Sequence, residues 1–239
     1  MVDIERDGGL AVITINRPHA RNAIGPATME ELERALDAVT GAQALVIRGA
    51  GDRAFVSGGD LKELSAIRTE DAATAMALRM RGICDRLASF PAPVIAALNG
   101  HALGGGAEVA VAADIRVAAD DIRIGFTQVT LAIMPAWGGA ERLAALVGPG
   151  RALLLAGAGT VLGAAEAERI GLVDLVLPHA DFEAGWRSVA RSLANDSARE
   201  IKRLTAGAVK PEDAAQAFAR LWVADAHWEA AERMMKRGK

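Results

Sequence analysis

The chain has no tyrosine, and aromatic residues make up only 4% of its 239 positions. Its core therefore has to be assembled from Ala, Val, Leu and Ile. Apolar residues still reach 51%, enough for a sizeable packed core and too many for a disordered chain. The single cysteine, Cys84, excludes an intrachain disulfide and leaves no thiol cluster for a metal. It lies inside the helical pattern Met80–Leu87, where a buried structural thiol is expected. The four histidines (His19, His101, His179, His227) stand far apart with no ligand spacing between them, so no metal site is expected. Neither a Gly-x-Ser-x-Gly elbow nor a His-Glu-x-x-His motif occurs. A dominant charge sign is also lacking: 27 basic residues face 30 acidic ones, which offers no general attraction to nucleic acid or an anionic membrane. Met1–Arg6 has neither a basic segment nor an apolar one, so secretion is not expected and a cytoplasmic location is. The most apolar window, Val94 to Ala113, is interrupted by Asn99, His101, adjacent glycines and Glu108, and reads as a buried strand–loop–helix, not a membrane span.

What is present is strand–helix alternation. Val2, Ile4 and then Leu10 to Ile15 flank the turn Asp7-Gly8-Gly9 as a hairpin. Pro26 opens a helix through Val39, and Ala44–Gly49 is a nearly continuous apolar run, as a strand covered on both faces should be. A helix is expected over Asp71–Ser89 and strands over Pro93–Leu98, Asp114–Ala118 and Ile122–Phe126. The second half reads as mostly helical: Glu141–Val147, Pro149–Ala156, Ala164–Ile170 closed by Gly171, Asp181–Ala194 and Asp213–Lys236, with Leu172–Leu177 an isolated strand. This is an α/β pattern without a fixed-period repeat.

Two glycine-containing stretches carry chemistry. In Asn99-Gly100-His101-Ala102-Leu103-Gly104-Gly105-Gly106-Ala107-Glu108, glycines before a helix free N–H groups to face developing negative charge. The lone carboxylate in the Ala/Val run that follows should have a raised pKa and could hold a proton near neutrality. No Gly-Lys-Ser/Thr follows, which excludes a phosphate loop of that type. The second stretch, Ala54–Leu64, contains Ser57-Gly58-Gly59-Asp60-Leu61-Lys62. No base for a Ser57 nucleophile is evident nearby. The functional reading is a turn presenting a backbone N–H, with Asp60 and Lys62 as local cap and surface charge. Taken alone, the motif reads as an ordinary strand-to-loop turn.

Together, Ile15–Ala23, Ala54–Lys62, Asn99–Glu108, Met134–Gly139 and Ala164–Asp174 resemble the enoyl-CoA hydratase/isomerase (crotonase) family, in order and over nearly the whole chain. The resemblance implies a superhelix of β-β-α turns over 1–180 and a helical C-terminal region, 181–239, that forms a homotrimer or a dimer of trimers. It implies an acyl-CoA thioester as substrate, with coenzyme A as part of that substrate and no separate cofactor. The N–H groups of Gly59 and Gly105 would form an oxyanion hole. Arg21, Ala23, Asp60, Leu61 and Lys62 would line the coenzyme A channel, and Lys236 would reach the coenzyme A phosphates on a neighbouring subunit.

Two positions depart from the hydratase pattern. The first catalytic glutamate falls on Glu108, but the second falls on Gln128, which can orient a water and cannot carry a proton. Trp137 replaces a small residue; its indole would either fill part of the acyl pocket or pack in the core against the trimer-facing helix. The Pro-x-Trp-Gly-Gly variant also resembles family members that decarboxylate short branched malonyl-CoA thioesters, a reaction that one acid could serve. Three readings therefore stand: an enoyl-CoA hydratase or isomerase, a short-chain malonyl-type CoA decarboxylase, and an acyl-CoA-binding member with weak or no turnover.

Overall fold

A computed structural model describes residues 1–207 and 209–237. The chain opens with β1 (Val2–Asp7) and β2 (Leu10–Ile15), an antiparallel hairpin turning at Gly8. Pro26 starts α1 (Pro26–Ala38), which buries Met29, Leu32, Ala35 and Leu36. The next elements come as strand pairs followed by helices. They are β3 (Ala44–Gly49), β4 (Ala54–Val56), α2 (Leu61–Leu64) and α3 (Glu70–Ala88), then β5 (Val94–Leu98), β6 (His101–Leu103) and α4 (Gly105–Ala110). β7 (Ile115–Ala119) and β8 (Arg123–Gly125) follow, then a 3₁₀ turn, Thr127–Leu131. Each pass places its first strand in one sheet and its second in another. The larger sheet has the order β1-β2-β3-β5-β7-β10 and the smaller β4-β6-β8-β9. This is the winding expected of stacked β-β-α turns.

The remainder comprises α5 (Gly139–Val147), α6 (Pro149–Ala158), β9 (Val161–Gly163), α7 (Ala164–Arg169), β10 (Leu175–Leu177), α8 (Phe182–Leu193), α9 (Asp196–Thr205), α10 (Pro211–Trp222) and α11 (Asp225–Arg237). The short strands β4, β6 and β9 were not expected from the sequence, and three further features differ from its reading. β10 is shorter than Leu172–Leu177 and is not isolated, since it pairs in parallel with β7. The Leu172 carbonyl is instead taken by Arg116 Nε at 2.9 Å, and the Asp174 carboxylate by the Arg116 N–H at 2.8 Å. The single helix expected over Asp213–Lys236 is two, broken at Val223–Ala224, and across the break Trp222 stacks on His227 with centroids 4.5 Å apart. α9 was not anticipated because its apolar stripe is thin; its local signal is the Asn195 side chain, which caps Ala198 N–H. Of the basic terminus, Gly238 and Lys239 lie outside the described residues.

Buried charge ties the later segments to the sheet. Arg116, 1% exposed, pairs with Asp174 and donates to the carbonyls of Leu172 and Ala113. Lys202 on α9 reaches Asp114 at 2.7 Å and the Ala92 carbonyl at 3.1 Å. Among the described residues no helix is long and apolar enough to cross a membrane, and no group of three His, Cys, Asp or Glu is placed to hold a metal.

Arg116→Ala empties a buried volume and leaves the Leu172 and Ala113 carbonyls without their donor, so it should lower unfolding free energy by about 3 kcal/mol in chemical denaturation. Cys84 is fully buried and its thiol is pushed up to about 12, chiefly by desolvation. A thiol reagent should therefore leave the native protein unmodified and titrate one thiol only after denaturation; rapid native-state reaction would contradict this packing.

Candidate functional site

Two buried asparagines and a half-buried arginine hold the loops at the ends of the strands. Asn22 accepts from Arg17 N–H at 2.9 Å and donates to the carbonyls of Ala54 and Ala50 at 2.7 and 3.0 Å. Asn99 accepts from Gly49 N–H at 2.9 Å and donates to the Gly51 carbonyl at 2.7 Å. Arg17 donates to the Ala23 carbonyl at 2.7 Å and pairs with both Asp60 (3.1 Å) and Glu63 (2.6 Å). Backbone bonds complete the clamp, Ile24 N–H to the Gly58 carbonyl and Asp60 N–H to the Ile24 carbonyl. Segments 17–24 and 58–63 thus form one rigid rim. Burial would raise the Asp60 pKa, but N–H donors from Glu63 and Lys62 and the Arg17 guanidinium outweigh it and hold the carboxyl below its ordinary value. Asp60 caps α2, as its position before Leu61 suggests.

Each of the three adjacent glycines meets a different constraint. Gly104 has φ +56°, a left-handed conformation that L side chains rarely adopt. A Cβ on Gly106 would lie 1.8 Å from the Val56 carbonyl oxygen, so α4 can approach β4 only with glycine there. A Cβ on Gly105 would lie 2.1 Å from Trp137 Cζ3. The same indole reaches the other loop, with Cζ2 at 3.9 Å from a Cβ built on Gly59. Among the described residues neither the Gly59 N–H nor the Gly105 N–H donates to a protein acceptor. The second is an orphan donor of the first turn of α4.

Glu108, on α4, is 2% exposed. Its Oε2 accepts from Trp137 N–H at 2.7 Å and Gly139 N–H at 3.0 Å, and its Oε1 accepts from Gln128 Nε2 at 2.8 Å. Gly139 is the first residue of α5, so the carboxylate also satisfies the start of that helix. Desolvation raises the Glu108 pKa, opposed by the N–H groups of Gly139 and Trp137, the Gln128 amide and the N–H of Ala136. Two donors fill the lone pairs of Oε2, and one remains free on Oε1. Oε1 is thus the less encumbered of the two oxygens. Gln128 is 7% exposed and must turn its NH₂ toward the carboxylate, which leaves its own buried Oε1 without a partner.

The structure brings Gly59, Gly105, Glu108, Gln128 and Trp137 into one contiguous cluster. Arg21 (exposed, φ +52°), Ala23 (buried), Asp60, Leu61 (exposed) and Lys62 (exposed) lie on the adjoining rim. Lys236 is on α11, exposed, with its Nζ 3.5 Å from Glu232 Oε2, and makes no hydrogen bond or ion pair with either group. Sequence reasoning passed over Arg17, Asn22 and Asn99 as site-building residues, although all three sit inside the quoted motifs. Their signal was a polar side chain next to glycine or proline in an otherwise apolar context. The backbone donors of Trp137 and Gly139 had no sequence signal beyond Gly138-Gly139.

The raised Glu108 pKa fixes a sign. The folded state holds this proton more tightly than the unfolded state, so its stabilising contribution is lost as pH rises from the ordinary carboxylate value through the raised one. Glu108→Gln lacks that dependence and can keep the cluster bonded, its NH₂ donating to Gln128 Oε1. In thermal melts, the stability of Glu108→Gln relative to the parent should increase from about pH 4 to about pH 8. A pH-independent difference would contradict the buried, raised carboxyl.

Residues 5–230 match the family model for enoyl-CoA hydratase/isomerase. The chain is 36% identical over 204 residues to a short-chain-enoyl-CoA hydratase of Clostridium acetobutylicum, covering 84% of this chain and 78% of that one. It is 41% identical over 177 residues to a crotonyl-CoA hydratase of Syntrophomonas wolfei, covering 73% and 68%. The crystal structure of an enoyl-CoA hydratase from Bacillus anthracis superposes with a TM-score of 0.90 at 30% identity, over 99% of this chain and 96% of that one. That of an enoyl-CoA hydratase from Thermoplasma volcanium gives 0.86 at 31% identity, over 97% and 96%.

Proposed function

The chain belongs to the enoyl-CoA hydratase/isomerase family, with the crotonase fold, and we propose that it acts on an acyl-CoA thioester by stabilising its enolate, as a hydratase or isomerase. The observation that carries this reading is the pairing of two unengaged glycine N–H groups with a carboxylate that has one free lone pair. The thioester oxygen would accept from Gly59 and Gly105, each such donor contributing about 3 kcal/mol to the transition state. In hydration, the water oxygen bonds to C3 while Glu108 Oε1 takes the water proton. The double-bond electrons move onto the thioester oxygen, and the same proton returns to C2. In isomerisation Glu108 carries a proton between C2 and C4. Gln128 orients and does not titrate. General acid–base help is worth roughly 10²–10⁴-fold, so a single-carboxylate hydratase should be slow.

The rim residues Arg21, Ala23, Asp60, Leu61 and Lys62 would line the coenzyme A channel, and the substrate supplies the only coenzyme. Residues 181–239 would form the contact in a trimer or dimer of trimers, placing Lys236 near a neighbour's coenzyme A phosphates. The exposed Phe218, Trp222, Val223 and Met234 on or beside α10 and α11 support this. A cytoplasmic location accords with such a substrate. A second reading, decarboxylation of a malonyl-type thioester, is favoured by Gln128 standing beside the one site carboxylate. There the C2–carboxylate bond breaks, its electrons form the enolate, and protonated Glu108 delivers a proton to C2.

Crotonyl-CoA hydration, followed by loss of ultraviolet absorbance, should be measurable with the purified protein, abolished in Glu108→Gln, and raised on the order of 10²-fold in Gln128→Glu, which adds a second titrating carboxyl. Carbon dioxide release from methylmalonyl-CoA without hydration would establish the second reading. Acyl-CoA binding with neither activity, unchanged in Glu108→Ala, would overturn both.

A further inference from the structure

We propose that Trp137 sets the size of the acyl group, confining this site to short chains; the inference rests on the acyl-CoA reading above. The indole lies across both glycine loops, with Cζ3, Cη2 and Cε3 at 2.1, 2.4 and 2.8 Å from where a Cβ on Gly105 would sit. Its Cζ2 faces Gly59. A thioester carbon held by those two N–H groups therefore starts its acyl chain beside this ring. The ring cannot easily step aside. Trp137 is 7% exposed, and its backbone is anchored at both ends, the main-chain N–H to Glu108 Oε2 and the carbonyl to Arg142 Nη1 at 3.2 Å.

Beyond the same segments lies an apolar cavity of about 360 Å³. Its lining includes Val129, which follows Gln128; Pro135, which precedes Ala136–Trp137; and Ala140, which follows Gly139. On this proposal, truncating the indole would open the glycine pair toward that apolar space. The intact indole keeps methylenes beyond the first few from being buried there.

Burying one methylene tightens binding by about fourfold. Calorimetric titration with acetyl-, butyryl-, hexanoyl- and octanoyl-CoA, saturated thioesters that undergo no hydration, reads this directly. The parent protein should tighten up to butyryl-CoA and then change by less than about threefold to octanoyl-CoA. Trp137→Ala should gain at least about tenfold between butyryl- and octanoyl-CoA, and Trp137→Phe a smaller gain in the same direction. Trp137→Phe retains a ring at the site and carries the test should the alanine variant fail to melt cooperatively. A parent protein that gains about fourfold per methylene through octanoyl-CoA, or variants as flat as the parent, would overturn the inference while leaving the acyl-CoA reading intact. Failure of the folded parent to bind any of the four thioesters would overturn both.

Discussion

The site depends on how one buried carboxylate is satisfied. Glu108 is taken out of water by the Ala/Val face of α4, which would ordinarily expel an ionised group. Three donors offset that cost: the N–H groups of Trp137 and Gly139 and the amide of Gln128. They come from the 3₁₀ turn and from the entry to α5, so this carboxylate also fixes how the helical half of the chain seats on the two sheets. Two donors occupy Oε2 and one occupies Oε1, so in the proposed reaction Oε1 is the oxygen left to exchange a proton.

The glycines are the second constraint, and they belong to the packing as much as to the chemistry. Gly106 admits the Val56 carbonyl, Gly105 admits the indole, and Gly139 admits Glu108 itself, since a Cβ there would fall 2.3 Å from Glu108 Cγ. Close backbone approach brings β4, α4 and α5 to one point. The Arg17 clamp fixes the loop of residues 58–63 against residues 17–24. Trp137 joins the two constraints, bonding Glu108 through its backbone and covering the glycines with its ring.

Much of this was legible in the sequence because it was local. The hairpin, the Pro26 helix, the buried strands and the Asp60 cap each follow from a few adjacent residues. The glycine run with Glu108 announced a close approach and a carboxyl removed from water, and the structure has both, the burial being what pushes the Glu108 pKa up. What was not legible depends on partners distant in sequence. Nothing near Leu172 indicates that Arg116 will take its carbonyl, shortening β10. Nothing near Trp222 indicates that a stack on His227 will accompany a helix break. Asn22, Asn99 and Arg17 were visible as residues but not as anchors, since each bonds to chain 28 to 50 positions away on at least one side. Gln128 was aligned with a catalytic position on resemblance; its contact with Glu108 is a structural finding, and the role of the pair is set by chemistry the fold permits.

The central claim is that Glu108 is the single proton carrier at a site built to stabilise a thioester enolate. Exchange of the C2 protons of butyryl-CoA with deuterated water, followed by proton NMR, isolates that step from hydration, isomerisation and decarboxylation alike. The account predicts enzyme-dependent exchange in the parent protein and its loss in Glu108→Gln with butyryl-CoA binding retained. Exchange that persists undiminished in folded Glu108→Gln would contradict it.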